Sequence, residues 1–174
     1  MQNKKDLPKI KIRRTTLDWV IEFIGLFFLI ILIALPLIFS GQLPERIPTH
    51  FNIAGEPDGY GSKMTLWILP ITAAIMYIGM TILEAFPYIY NYPVEITPEN
   101  AVSQYKLGTR LIRILKTTIA ILFSFLSYQT MKTALGSAAG LGKVFLPVFL
   151  MITFGIIIIY LVRSLNSKHG DQSF

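Results

Sequence analysis

Three long stretches of this chain carry no charged residue: 23–44, 64–83 and 144–162. At 1.5 Å rise per helical residue, about 20 apolar residues span the roughly 30 Å hydrocarbon core of a bilayer. A helix of a soluble protein must offer water one polar face, and these stretches have none. With 53% of its residues hydrophobic, the chain reads as a multi-pass membrane protein. A fourth span is expected between the second and third runs. There 117–131 is uncharged, which is short for a crossing, but Arg110, Arg113, Lys116 and Lys132 flank it. Long basic side chains can snorkel to the interface and extend such a helix to full length, with a re-entrant or interfacial helix as the alternative.

The expected fold is therefore all-α, with four transmembrane helices at about 18–40, 65–90, 110–134 and 144–164. Around them the chain divides into a basic arm (1–17), a two-helix unit (18–90), a loop holding Pro93 and Pro98 (91–109), a second helix pair (110–164) and a polar tail (165–174). The basic start resembles a signal peptide, but the run behind it is too long for one and no A-x-A site follows. It reads as a retained first span. Gly136 and Gly140 spell G-x-x-x-G, yet they fall between two helices beside Gly142, so a flexible linker is expected rather than a dimerisation face.

Charge gives the orientation. With the N-terminus inside, Lys4, Lys5, Lys9, Lys11, Arg13, Arg14, Lys106, Arg110, Arg113, Lys116, Arg163 and Lys168 are cytoplasmic, and only Arg46, Lys63, Lys132 and Lys143 are outside. The positive-inside rule then places both termini in the cytoplasm. Tyr88, Tyr90 and Tyr92 are expected to form an aromatic belt at the inner end of the second helix. A net charge of +6 would suggest nucleic acid in a soluble protein. Here topology accounts for it, and no nucleic-acid partner is expected. Cysteine is absent, so no disulfide framework or thiolate metal site exists.

The segment 41–63 is too long and too patterned for a simple connection. Ile47, Thr49, Phe51 and Ile53 alternate with Arg46, Pro48, His50 and Asn52, which is the period of a strand with one apolar face. Pro48 cannot donate to a ladder, so the strand is an edge or isolated one. Pro57-Asp58-Gly59 reads as a turn, and Ser62 or Thr65 can cap the second helix. The expectation is a structured extracytoplasmic loop in which Arg46, His50, Asn52, Asp58 and Lys63 are free to bind a ligand or partner.

Pro44, Arg46, Ile47, Pro48, His50, Phe51, Asn52, Gly55, Asp58, Gly59 and Lys63 carry a resemblance. Across about 25–75 the chain resembles a bacterial membrane domain of unknown function that forms the N-terminal part of SdpI-type immunity proteins. The resemblance implies a bacterial plasma-membrane protein. Proteins of that type protect a producing cell from its own peptide toxin and can recruit a repressor to the membrane. The resemblance supplies no catalytic residue.

Five further charges lie in or beside the spans: Asp18 and Glu22 on one face of the first helix, Glu84 in the second, and Arg113 and Lys116 at the start of the third. Ionisable groups at such depth are costly and usually paired, so an ion-pair cluster is expected, with a proton or ion relay as the alternative. His50 with Glu56 and Asp58 is thin for zinc, whose catalytic sites generally use three protein ligands. No metal, cofactor or catalytic residue is expected. The leading function is sensing, immunity or an accessory role through the outer loop. The partner besides lipid would be a peptide toxin, a lipid-linked molecule or another membrane protein. A small transporter or transporter subunit working through Glu84 is the alternative, and an enzyme using His50 and Asp58 comes third.

Overall fold

The computed structural model describes residues 7–167. Lys4, Lys5 and Lys168, counted above as cytoplasmic cations, lie outside the described residues. The described chain forms four helices long and apolar enough to cross a membrane, and a two-stranded sheet between the first two. The elements are α1 (Thr16–Phe39), β1 (Arg46–Phe51), β2 (Pro57–Ser62), a 3-10 turn (Lys63–Trp67), α2 (Ile68–Leu83), a second 3-10 turn (Pro87–Ile89), α3 (Ala101–Ala134) and α4 (Phe145–Asn166). The hairpin lies at one end of the bundle together with the α3–α4 connection. The starts of α1 and α3 and the end of α4 share the other, called here the terminal end.

The spine is α3, which packs against α1, α2, α4 and β1. Its 34 residues make a helix about 50 Å long, more than a hydrocarbon core requires. Close approach to α1 depends on small groups. A Cβ on Gly25 would meet Thr117 Oγ1 at 2.5 Å, and the Thr117 and Ser124 hydroxyls donate to the carbonyls of Ile21 and Phe28. Such small-residue seams are how membrane helices gain contact where no hydrophobic drive exists between them. Leu29, Leu32, Ala73, Tyr77 and Ala120 fill the middle of the bundle. Leu35, Leu43, Ile47, Leu66 and Met131 fill the hairpin end. The large apolar side chains of α4 are mostly exposed, Met151 and Phe154 among them. In water that would be a severe liability, whereas in lipid it is a helix facing its solvent.

The helix ends differ from the expected ones. The second helix stops at Leu83 rather than 90, so Glu84 caps its C-terminus instead of lying within it. Pro87 explains this: it has no N–H, and it drives Phe86 out of the helical region. Tyr90 and Tyr92 form no outward belt. They donate to the carbonyls of Leu83 and Pro87, and Tyr92 packs on Tyr105, while Tyr88 is half-buried with them. The third helix starts at Ala101, nine residues before the expected 110, and so the loop 91–109 is shorter than expected. Thr97 and Asn100 bond each other's backbone N–H through their side chains, and Ala101 N donates to Thr97 O. With Pro98 one residue inside, T-P-E-N is a helix start of the capping-box kind.

The hairpin also departs from its expected form. The ladder pairs Arg46 with Ser62, Ile47 with Gly61 and Pro48 with Tyr60, then shifts so that His50 faces Gly59 and Phe51 faces Pro57. The bulge at Thr49 breaks the alternation. Ile47 is buried, Thr49 is exposed, and Ile53 is 84% exposed at the tip. The segment Pro57-Asp58-Gly59 is not the turn but the start of β2. The reversal falls at 52–56, where Gly55 takes φ +78°. Ser62 caps the first 3-10 turn by accepting from Met64 N, and Thr65 instead donates its hydroxyl to Ser62 O.

Candidate functional site

Of the five loop residues singled out, three are used by the hairpin itself. Asn52 Oδ1 accepts from Glu56 N at 3.0 Å, and its amide reaches Glu56 Oε2 at 3.3 Å. Arg46 donates to Tyr60 O at 3.3 Å, and Lys63 pairs with Glu45 at 2.9 Å. The other two, His50 and Asp58, meet across the strands through Nδ1 and Oδ1 and stay largely in the open, their side chains 73% and 44% exposed. All five therefore have partners within this segment, and Arg46, His50, Asn52 and Asp58 remain exposed on it.

The hairpin is also held from outside. Leu141 N donates to Gly55 O at 2.7 Å, and Gln129 reaches Gly140 O at 3.1 Å. A Cβ on Gly140 would collide with the Gly55 carbonyl, and one on Gly55 would lie 2.6 Å from Gly142 O. Both positions have positive φ, so glycine is required twice over. The glycine-rich connection, expected to be a flexible linker, is thus a backbone-to-backbone clamp on the hairpin turn.

Between hairpin, α3 and α4 this clamp leaves two adjoining cavities of about 380 and 460 Å³ that share His50, Phe51, Leu141 and Phe145. Ile47, Leu66, Leu69 and Leu126 make the first largely apolar. Ser127 also lines it; its residue is 1% exposed and its hydroxyl has no hydrogen-bond partner among the described residues. A buried hydroxyl left unsatisfied costs about 1–3 kcal/mol, and this one lies within the groove wall, closed to solvent. No signal in the sequence marks Ser127 apart from the other small polar residues of α3.

At the terminal end, Asp18, Glu22, Glu84, Arg113 and Lys116 come together. Arg113 pairs with Asp18 at 2.8 Å and also with Glu84. Lys116 lies 2.9 Å from Glu22 and 2.7 Å from Glu84. The two bases do not snorkel outward; both are buried. Two further cations complete the cluster: Arg14 at 3.2 Å from Glu84 and Arg110 at 3.0 Å from Asp18. Tyr77 donates to Glu22, with the Lys116 ammonium 4.6 Å above its ring. Thr15 and Asp18 form a capping box at the start of α1. Among the described residues, no group of three His, Cys, Asp or Glu side chains is placed to hold a metal ion.

The hairpin, the end of α1 and the start of α2 form one continuous segment, and that segment has relatives. Residues 27–74 match the family described as a domain of unknown function, DUF1648. The DUF1648 segment includes the whole hairpin, the clamp residue Gly55 and the near half of the groove wall. An uncharacterized protein of the archaeon Archaeoglobus fulgidus is 42% identical over 66 residues, which make up 33% of this chain and 36% of that protein. The match thus spans about a third of the length of that curated relative. No solved structure matches the chain. The DUF1648 description names no activity, and neither it nor the relative carries a link to SdpI-type proteins.

Proposed function

We propose that this chain is a membrane-embedded recognition protein, not an enzyme, whose hairpin groove holds an amphipathic ligand such as a membrane-active peptide or a lipid-linked molecule. The single observation that carries this reading is the groove itself: apolar walls with an exposed His50–Asp58 pair at the mouth, and in the wall a Ser127 hydroxyl that has no partner among the described residues. An apolar pocket with a few convergent polar groups is the usual form of a ligand site. The reading includes an orientation in which the excess of Lys and Arg at the terminal end is cytoplasmic, which leaves the hairpin outside a cell membrane. It is compatible with the sensing, immunity or accessory roles that the resemblance to SdpI-type proteins implies, since the resemblance rests on the DUF1648 segment.

The alternative, transport through Glu84, is less well supported. Each carboxylate of the buried cluster already holds a base at ion-pair distance, which favours a lock between helices. The test is survival of cells with and without the gene against a panel of membrane-active peptides. At least one peptide is expected to separate the two strains. His50→Ala and Asp58→Ala should remove that difference while the protein accumulates normally. If no peptide separates the strains and the purified protein binds none, the recognition reading fails.

A further inference from the structure

At the terminal end, away from the groove, lies a third cavity of about 350 Å³. One wall is the extended segment that precedes α1. Leu7 anchors it by packing among Ile96, Ala101 and Tyr105, and Lys9 lies over the Tyr88 ring at 5.6 Å. Arg14 then ties it to Glu84. The opposite wall is the first part of α3, and the floor is the ion-pair cluster. Seven cations line this space against two carboxylates, Asp18 and Glu84.

Both carboxylates are already engaged. Arg110 and Arg113 pair with Asp18, and Arg14, Arg113 and Lys116 pair with Glu84. The cluster as a whole sets three carboxylates against four bases, so it does not absorb the surplus. Lys11, Arg13 and Lys106 line the same cavity and make no ion pair among the described residues. Arg113 is buried, and its Nε makes no hydrogen bond, the nearest carboxylate oxygen (of Glu22) being 3.5 Å away. The positive-inside rule accounts for the side on which such charges collect. It does not account for a concave space walled by an anchored segment, with exposed Lys11, Arg13 and Lys106 along its lining. Guanidinium and ammonium groups converging on one cavity are what binds phosphate. Basic pockets between membrane helices are a known form of phospholipid headgroup site. The volume, at the low end for ligand pockets, suits one headgroup-sized anion.

We propose that this cavity binds a phosphate-bearing anion, with Lys11, Arg13 and Lys106 as the residues that take hold of it. The phosphate is carried by a lipid headgroup or is free in solution. The experiment is thermal unfolding of the full chain in neutral detergent, with additions of short-chain phosphatidic acid, short-chain phosphatidylcholine, inorganic phosphate or sodium chloride at matched ionic strength. Phosphatidic acid is expected to raise the unfolding midpoint by several degrees over phosphatidylcholine. A rise with phosphatidic acid alone assigns the site to a lipid headgroup. An equal rise with inorganic phosphate over chloride assigns it to free phosphate. The variant Lys11→Gln, Arg13→Gln, Lys106→Gln removes only exposed groups and should unfold at the wild-type midpoint without ligand, yet lose the rise. Removing the same number of charges elsewhere, with Lys132→Gln and Lys143→Gln added to Arg163→Gln, should leave the rise intact. The proposal is overturned if neither phosphate compound outdoes its control, or if the two triple variants respond alike.

Discussion

Glu84 caps the C-terminus of α2, where the helix dipole disfavours a negative charge. Arg14, Arg113 and Lys116 surround it and offset that penalty. Removing one member of a buried pair leaves uncompensated charge and costs about 3–5 kcal/mol. Glu84→Gln should therefore lower the unfolding midpoint in detergent markedly, and an unchanged midpoint would contradict the cluster. Ser127 gives the opposite expectation. Its hydroxyl has no partner to lose among the described residues, so Ser127→Ala should leave stability equal or slightly raised while weakening the response to whichever peptide the groove holds. A clear loss of stability would mean that the hydroxyl was already satisfied. The five members Asp18, Glu22, Glu84, Arg113 and Lys116 were legible because charges beside apolar runs must find each other. Arg14 and Arg110 were not, since in sequence they look like ordinary interfacial cations. Tyr77 was hidden for a similar reason: an aromatic residue in an apolar helix reads as lipid-facing until a carboxylate is seen beside its hydroxyl.

At the level of elements, the strand period of 46–53 was legible, but its register was not. Pro48 offers the ladder no N–H, and the pairing skips Thr49 before resuming at His50. One such skip reverses which side chains face inward, and Ile53 ends in the open. The early start of α3 was in principle readable from Thr97-Pro98-Glu99-Asn100, a cap followed by proline, whereas the apolar period alone begins later. The clamp between Gly55 and Gly140 joins positions far apart in sequence, and no local pattern reveals it. Gly140→Ala must push its Cβ against the Gly55 carbonyl, so the hairpin should come off the α3–α4 connection. Limited proteolysis at 52–56 should then accelerate several-fold in the variant. Tyr90 and Tyr92 tie the end of α2 to its following loop. Burial pushes both hydroxyls above the ordinary tyrosine range, with the Glu84 charge adding to the effect at Tyr90. A raised value in the folded state gives stability that is complete below the unfolded value near 10 and is lost as pH rises toward the folded one. Unfolding midpoints should fall above about pH 10, and Tyr92→Phe should make that fall shallower while lowering stability at neutral pH.

For the whole molecule, four spans were legible from where charge is missing. The third was the least clear because α3 turns a polar stripe inward: Thr109, Thr117, Ser124, Ser127 and Thr130 are all buried, and they dilute the apolar signal of a helix that is in fact the longest described. The orientation we propose has a direct check. Cysteine at Gly61 should react with an impermeant thiol reagent in intact cells, and cysteine at Asn91 should react only after permeabilisation; the reverse pattern would invert the protein. The clamp has a mechanical meaning as well. The turn of the hairpin holds the connection that leads into α4. That helix rests chiefly on α3, with Gln104 and Ser164 bonding the two at the far end. Hairpin turn and Gln104–Ser164 joint therefore tether α4 near its two ends, so a variant that loosens the turn leaves that helix moored at the far end alone.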